Sequence, residues 1–267
     1  MERTQEQKAA MFAALHQGEP FIIPNPWDVG SARVLEALGF NALATTSSGF
    51  AFTLGRRDGG ASLAELVDHV AALDRSTSVP ISVDLENGFG PEPDAAGNAI
   101  ERAAGAGAVG GSIEDYDPRG WIYPLDQAVE RVAAACEVAW RLSFPFTVTA
   151  RAENQIRGAP DLDDTIVRLQ AYERAGADVL YAPGLRSGDE IRTVCEAVSK
   201  PVNVLAHRGL SMDEIVDAGA RRVSVGGALT WVAITAMAEA ATAIRDDGDF
   251  SSLARPAQIQ EWLGNDR

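Results

Sequence analysis

The sequence predicts an α/β protein folded as one TIM-type (β/α)8 barrel, and three observations carry that prediction. Eight short apolar, β-rich runs alternate with eight helical patterns along the chain. Glycines recur where helices give way to strands, at Gly39, Gly105, Gly176 and Gly219. Charged residues collect at the ends of consecutive strands, which is where a barrel builds its active site.

The elements follow in order. Strands are predicted at residues 21–24, 42–46, 81–86, 111–114, 146–151, 179–182, 202–206 and 222–226, each rich in Val, Ile, Phe, Thr or Ala. Helices are predicted at 29–38, 63–75, 94–104, 125–141, 162–175, 189–198, 211–218 and 228–245, where apolar residues recur at three- and four-residue spacing. Ser62 with Glu65, and Ser211 with Glu214, have the spacing of capping boxes. Ile259, Trp262 and Leu263 lie at helical spacing within 256–263. The whole chain, 1–267, therefore reads as a single domain, with a barrel over about 20–246 and a helical extension over 247–267. A doubly wound open sheet competes less well. Its glycine-rich candidate, Gly105-Ala106-Gly107, lies between a helix and a strand, the wrong context for a dinucleotide fingerprint.

Composition narrows the function. A chain of 267 residues, 46% hydrophobic, buries a large core, and its net charge of −15 argues against nucleic acid and anionic membranes as partners. No apolar run approaches the roughly 20 residues that span a bilayer, and residues 1–8 are polar, without a signal-peptide core. Cys136 and Cys195 fall inside predicted helices without metal-ligand spacing, as expected of reduced thiols in a cytoplasmic protein.

The strand ends carry the chemistry. Asp84 and Glu86 close the third strand, Glu114 the fourth and Arg151 the fifth, while Thr46-Ser47-Ser48-Gly49-Phe50 follows the second. Strand alternation points Asp84 and Glu86 the same way. Clustered carboxylates repel unless a cation sits among them, and a hard divalent ion such as Mg²⁺ suits oxygen ligands and keeps several waters. A cation beside an arginine suits a small anionic substrate. The competing reading is structural ion pairing, with Arg151 neutralising Glu86 or Glu153 and Ser47-Ser48-Gly49 an ordinary turn. His207 is the one histidine near a predicted strand end, whereas His16 and His69 read as helix-surface residues. Val225-Gly226-Gly227 has the character of a barrel phosphate loop, a weak signal.

These residues bring a family resemblance with them. The chain resembles the short branch of the isocitrate lyase/phosphoenolpyruvate mutase superfamily over nearly its whole length. The shared segments include Pro24-Asn25-Pro26-Trp27-Asp28, Thr45-Thr46-Ser47-Ser48-Gly49-Phe50-Ala51, Gly55-Arg56-Arg57-Asp58-Gly59 and Val83-Asp84-Leu85-Glu86-Asn87-Gly88-Phe89-Gly90. They continue with Ser112-Ile113-Glu114-Asp115, Thr149-Ala150-Arg151, Tyr181-Ala182-Pro183-Gly184 and Pro201-Val202-Asn203-Val204. The resemblance implies a Mg²⁺-dependent enzyme, with Mn²⁺ as an alternative ion, acting on a small anionic 2-oxo acid. It makes Asp84 the direct metal ligand and gives Glu86, Glu114 and Asp58 a part in holding the ion, largely through waters. Ser48, Gly49 and Arg151 take the substrate carboxylate, with Phe50, Thr46, Asn203 and Asp84 in the same substrate-binding set. Arg151, Glu114, His207 and Tyr116 form the expected catalytic set. The resemblance also implies a homo-oligomer, a tetramer or dimer, with exchange of a C-terminal helix between subunits.

Departures from the family pattern select among reactions. The loop over 116–124 reads Tyr116-Asp117-Pro118-Arg119-Gly120-Trp121-Ile122-Tyr123-Pro124 and lacks the Lys-Lys-Cys-Gly-His of the lyases that use cysteine as acid and base. It also lacks the lysine and asparagine of phosphonopyruvate mutase gating loops, and Glu86 stands where longer branches carry aspartate. The expectation is C–C cleavage or decarboxylation of a small 2-oxo or hydroxy dicarboxylate, such as oxaloacetate or a malate derivative, through a metal-stabilised enolate. Tyr116, Tyr123 and His207 are the candidate proton donors. P–C chemistry on phosphonopyruvate and noncatalytic binding of an oxo acid are the alternatives.

Overall fold

In the computed structural model, which describes residues 3–158, 160–253 and 258–263, eight parallel strands and their helices form the barrel. The strands in chain order are β1 (Phe21–Ile23), β2 (Leu43–Ala44), β3 (Ile81–Asp84), β4 (Gly110–Glu114), the short pair β5 (Tyr116–Asp117) and β6 (Trp121–Ile122), then β7 (Thr147–Arg151), β8 (Val179–Tyr181), β9 (Val202–Leu205) and β10 (Arg222–Ser224). The eight-stranded sheet runs β1-β10-β9-β8-β7-β4-β3-β2. The seam between β1 and β2 is stitched beyond the strand ends. There the Ala44 N–H donates to the Pro24 carbonyl at 3.0 Å, and the Asn25 amide donates to the Thr45 carbonyl at 3.0 Å. All eight predicted barrel strands are present, each trimmed by a residue or more at one or both ends except β4, which gains one.

The helices are α1 (Gln5–Leu15), α2 (Val29–Ala37), α3 (Ser47–Thr53), α4 (Leu63–Ser76), α5 (Pro93–Gly105), α6 (Leu125–Arg141), α7 (Leu162–Arg174), α8 (Gly188–Ala197), α9 (Met212–Asp217), α10 (Ala228–Asp247) and α11 (Ile259–Leu263). Ser62 and Ser211 form the capping boxes expected of them. Ser187 with Glu190 and Thr4 with Gln7 form two more. At the end of α5 the left-handed residue is Gly107 (φ +107°), not Gly105, which is still helical. The outward faces of the strands, with Val83, Ile113, Val148, Leu180 and Val223, pack on the apolar faces of the surrounding helices. The hydrophobic effect therefore acts mainly between sheet and helices.

Several expectations change. Helix α1 lies where no helix was expected and closes the N-terminal end of the barrel. Its Phe12 is fully buried with Ile23, Ala42 and Val109, and Gly110 leaves room for the ring, since a Cβ there would lie 2.6 Å from Phe12 Cε1. His16 and His69, expected at helix surfaces, are half-buried. His16 donates from Nδ1 to the Phe12 carbonyl at 2.8 Å, and burial, with help from Arg222, pushes its pKa down to about 3. His69 stacks on Phe50 at 4.1 Å, and burial pushes it down to about 4. Ser47-Ser48-Gly49 is the start of helix α3 rather than a plain turn. The 116–124 segment folds as an antiparallel hairpin of β5 and β6. Arg119 pairs with Asp117 and lies over the Trp121 ring at 4.5 Å.

Cys136 and Cys195 sit in α6 and α8, both unpaired, with thiols pushed up to about 12 and about 11 by burial. No helix among the described residues is long and apolar enough to cross a membrane. Helix α11 packs beside α2. Residues 256 and 257 of the predicted 256–263 helix lie outside the described residues. Helix α10 leaves Trp231, Val232 and Met237 exposed.

Because α1 seals the barrel through one aromatic side chain, Phe12→Ala is expected to cost about 3–5 kcal/mol in stability. Urea unfolding of the two proteins measures the difference.

Candidate active site

The C-terminal strand ends gather most of the sequence-predicted groups around two adjoining cavities. One, of about 190 Å³, is lined by Thr46, Ser48, Asp84, Arg151 and Asn203. The other, of about 210 Å³, is lined by Glu86, Glu114, Tyr116 and Arg157. Ser47, Asp58, Arg151 and Arg157 border both.

Arg151 organises the mouth. Its Nη1 donates to Asp84 Oδ1 at 2.8 Å, and its Nη2 lies 3.0 Å from Glu114 Oε2 and 2.8 Å from Glu153 Oε1. Burial opposes its charge, but Glu153, Glu114 and Asp84 overcome that penalty and hold its pKa well above the ordinary arginine value. Asp84 also accepts from two backbone groups, the Ser47 N–H and the Glu86 N–H, each at 3.2 Å.

Strand alternation does not account for the pairing of Asp84 and Glu86, because β3 ends at Asp84 and Glu86 adopts a left-handed backbone (φ +48°). Both reach the mouth through that turn. Burial, then the nearby Asp84 and Asp58, raises the Glu86 pKa to about 8. Burial also raises Glu114, despite Arg151. Asp115, next along the chain, points away and is consumed structurally. It accepts from the Tyr172 hydroxyl at 2.6 Å, from Arg168 at 3.2 Å and from the Glu153 N–H at 2.8 Å.

Other predicted residues are placed as follows. Gly49 stands behind the cavity wall, where a Cβ would lie 2.6 Å from both Thr230 Oγ1 and Thr46 Cγ2. Phe50 is buried against His69. Asn203 is tied at both ends, accepting from Arg222 Nε at 2.8 Å and donating to Ser224 Oγ at 2.9 Å. Tyr116 lies beneath the Arg157 guanidinium, 4.2 Å from the ring centre. His207 accepts the Gly209 N–H at 3.0 Å within its own turn and lines neither cavity. Tyr123 is fully buried and also lines neither, with its hydroxyl held between Asn87 and Asp117.

Two residues outside the expected site set complete the mouth, Arg157 and Glu153, the latter expected only as an ion-pair partner of Arg151 in the structural reading. Glu153 is fully buried beneath Arg151, and Arg157 reaches Glu153 at 3.3 Å. Glu153 lies two residues beyond the end of β7 and is held by its N–H donating to Asp115 Oδ1 at 2.8 Å.

The donor set fits a divalent cation. Asp84, Glu86, Glu114, Asp58 and Glu153 bring five carboxylates to two guanidinium groups, Arg151 and Arg157, and two of those acids are pushed toward protonation. Hard oxygen donors in negative excess suit Mg²⁺ with a partial water shell. Among the described residues no three acids, histidines or cysteines stand together so that they could hold a metal ion by themselves, and Arg151 stands between Asp84 and Glu114.

Comparison with known proteins agrees with the fold. The family model described as phosphoenolpyruvate phosphomutase matches residues 12–245. The chain belongs to that family, within the isocitrate lyase/phosphoenolpyruvate mutase superfamily, whose members include lyases and mutases. It is similar to a solved protein of Burkholderia cenocepacia J2315 assigned only as far as a lyase/mutase, with 51% identity, 97% of this chain and 96% of that one covered, and a TM-score of 0.94. The 2-methylisocitrate lyase of Halalkalibacterium halodurans is 30% identical over 75% of this chain and 68% of its own. A solved 2,3-dimethylmalate lyase is 25% identical, with 97% and 95% covered and a TM-score of 0.85.

The close packing at Gly49 gives a direct check on how α3 is set. Gly49→Ala is expected to cost about 1–3 kcal/mol through overpacking against Thr230 and Thr46, read as a lower urea midpoint.

Proposed function

We propose that this protein is a Mg²⁺-dependent lyase that cleaves a C–C bond of, or decarboxylates, a small 2-oxo or hydroxy dicarboxylate. The observation that carries the reading is one guanidinium, Arg151, shared among Asp84, Glu114 and Glu153 at the barrel mouth beside Ser47 and Ser48. The similarity to lyases acting on 2-methylisocitrate and 2,3-dimethylmalate supports it.

Asp84, Glu86, Glu114 and Asp58 are the groups that would hold the ion. Bound Mg²⁺, or Mn²⁺ in its place, supplies Lewis-acid stabilisation of charge developing on substrate oxygen. Arg151 offers a carboxylate a fork of parallel donors, and Ser48 lends a hydroxyl from the start of α3. Donors fixed before reaction cost little reorganisation as charge develops. Asn203 and Thr46 shape the inner wall. In decarboxylation the electron pair of the broken C–C bond passes to the carbon that becomes the enolate carbon as CO2 leaves. In cleavage of a hydroxy acid the hydroxyl proton passes to a mouth carboxylate such as Glu114 as the C=O forms. In both, the enolate carbon then takes a proton. Tyr116 is the proton donor in this reading, because of Tyr116, Tyr123 and His207 it alone borders a cavity.

The exposed Trp231, Val232 and Met237 of α10 support a homo-oligomer, tetramer or dimer, that covers this face. The excess of acid over base and the unpaired cysteines support a cytoplasmic location without nucleic-acid or membrane partners. P–C bond chemistry stays as the second reading because the matching family model is that of a phosphomutase.

Purified protein assayed with Mg²⁺ against oxaloacetate, substituted malates, 2-methylisocitrate and phosphonopyruvate tests the proposal. Release of a 2-oxo acid from oxaloacetate or a substituted malate is expected. Turnover of 2-methylisocitrate alone would move the substrate to a tricarboxylate, and turnover of phosphonopyruvate alone would move the assignment to P–C chemistry. No turnover of any would leave a binding protein. On the best substrate, Arg151→Lys is expected to lower kcat/KM at least ~100-fold, about 2.7 kcal/mol, because lysine cannot reproduce the fork. Unchanged kinetics would make Arg151 structural.

A further inference from the structure

Below the mouth, the barrel interior departs from the usual filling by bulky branched side chains. Ala44, Ser82, Ser112 and Ser224 point small side chains inward, and the cavity of about 190 Å³ continues past them to Arg222 on β10. Arg222 is 5% exposed. Its Nε donates to Asn203 Oδ1 at 2.8 Å, its Nη1 to His16 Nε2 at 3.3 Å and its Nη2 to Thr149 Oγ1 at 3.1 Å. The Nδ1 proton of His16 is committed to the Phe12 carbonyl, so Nε2 faces Arg222 as an acceptor.

All three partners are neutral. Among the described residues no carboxylate forms an ion pair with Arg222, whereas Arg151 has three. A buried guanidinium costs several kcal/mol unless its charge is compensated, and burial alone pushes this one down to about 10. Five N–H groups fan out from a guanidinium, and three hydrogen bonds leave two of them without a partner in a residue that lines the cavity.

We propose that this inner chamber is a second anion site, in which Arg222, positioned by Asn203 and Thr149, holds a small anion: a halide, or the carboxylate of an organic acid that enters through the mouth. The site uses none of the mouth acids and does not depend on the metal reading.

Chlorine-35 NMR of the full-length protein, with a chelator present, tests it. Wild type is expected to broaden the chloride line in a saturable way. Arg222→Met should weaken that binding at least tenfold, Arg222→Lys should keep most of it, and Arg151→Met should retain it. Displacement by malonate at concentrations where acetate has no effect would assign the site to an organic dicarboxylate. Absence of displacement would assign it to an inorganic anion, and both results support an anion site. No saturable broadening, equal broadening in Arg222→Met, or loss on Arg151→Met would overturn the proposal. Should Arg222→Met fail to fold, anomalous diffraction from bromide-soaked wild-type crystals decides. Bromide against the guanidinium supports the site, and water alone there sinks it.

Discussion

The charge balance around Arg151 is the constraint on which the site depends. A single guanidinium cannot neutralise Asp84, Glu114 and Glu153 together, and Glu86 and Asp58 add to the excess a few ångströms away. The protein holds these acids at adjacent strand ends, where β3, β4 and β7 pair side by side in register and leave them no room to separate. Acids gathered this way are an unfavourable arrangement in a bare protein. The raised pKa values of Glu86 and Glu114, caused by burial first and neighbouring acids second, express part of that cost, and in the proposed reading a doubly charged ion would relieve it.

The rest of the fold serves that arrangement. The sheet packs on its helices through an apolar outer layer, so the inward-facing positions are free to be small and polar. Arg151 and Arg222 then stand at two depths of one cavity with opposite surroundings, the first among carboxylates and the second among neutral groups. Helix α1 seals the far end with Phe12, and the cavity therefore opens toward the acidic mouth. The hairpin of β5 and β6 covers one side and brings Tyr116 under Arg157.

Most of this was legible in the sequence where a signal was local and periodic. The barrel strands show as short apolar runs, and Asp84, Glu114 and Arg151 show because charge at a strand end interrupts such a run. Glu86 was found by an argument that the backbone does not obey, since its left-handed turn rather than strand alternation brings it to the mouth. Glu153 was legible only as an ion-pair partner of Arg151, because it follows the end of the apolar run and of β7. Helix α1 was missed because Lys8-Ala9-Ala10-Met11-Phe12-Ala13-Ala14-Leu15 is apolar nearly all round and shows no periodicity, although the Thr4 and Gln7 capping pair marks its start. The burial of Gly49 against Thr230, and the neutral surroundings of Arg222, depend on contacts between residues about 20 to 200 positions apart, which no window along the chain contains.

Manganese binding followed by electron paramagnetic resonance is the most direct measurement of the central claim. Wild-type protein is predicted to quench the free-ion signal with about one tight site per chain, and Asp84→Asn, still folded, to lose that site. Quenching that is absent from wild type, or equally strong in the variant, would contradict the reading of these acids as the seat of a divalent cation.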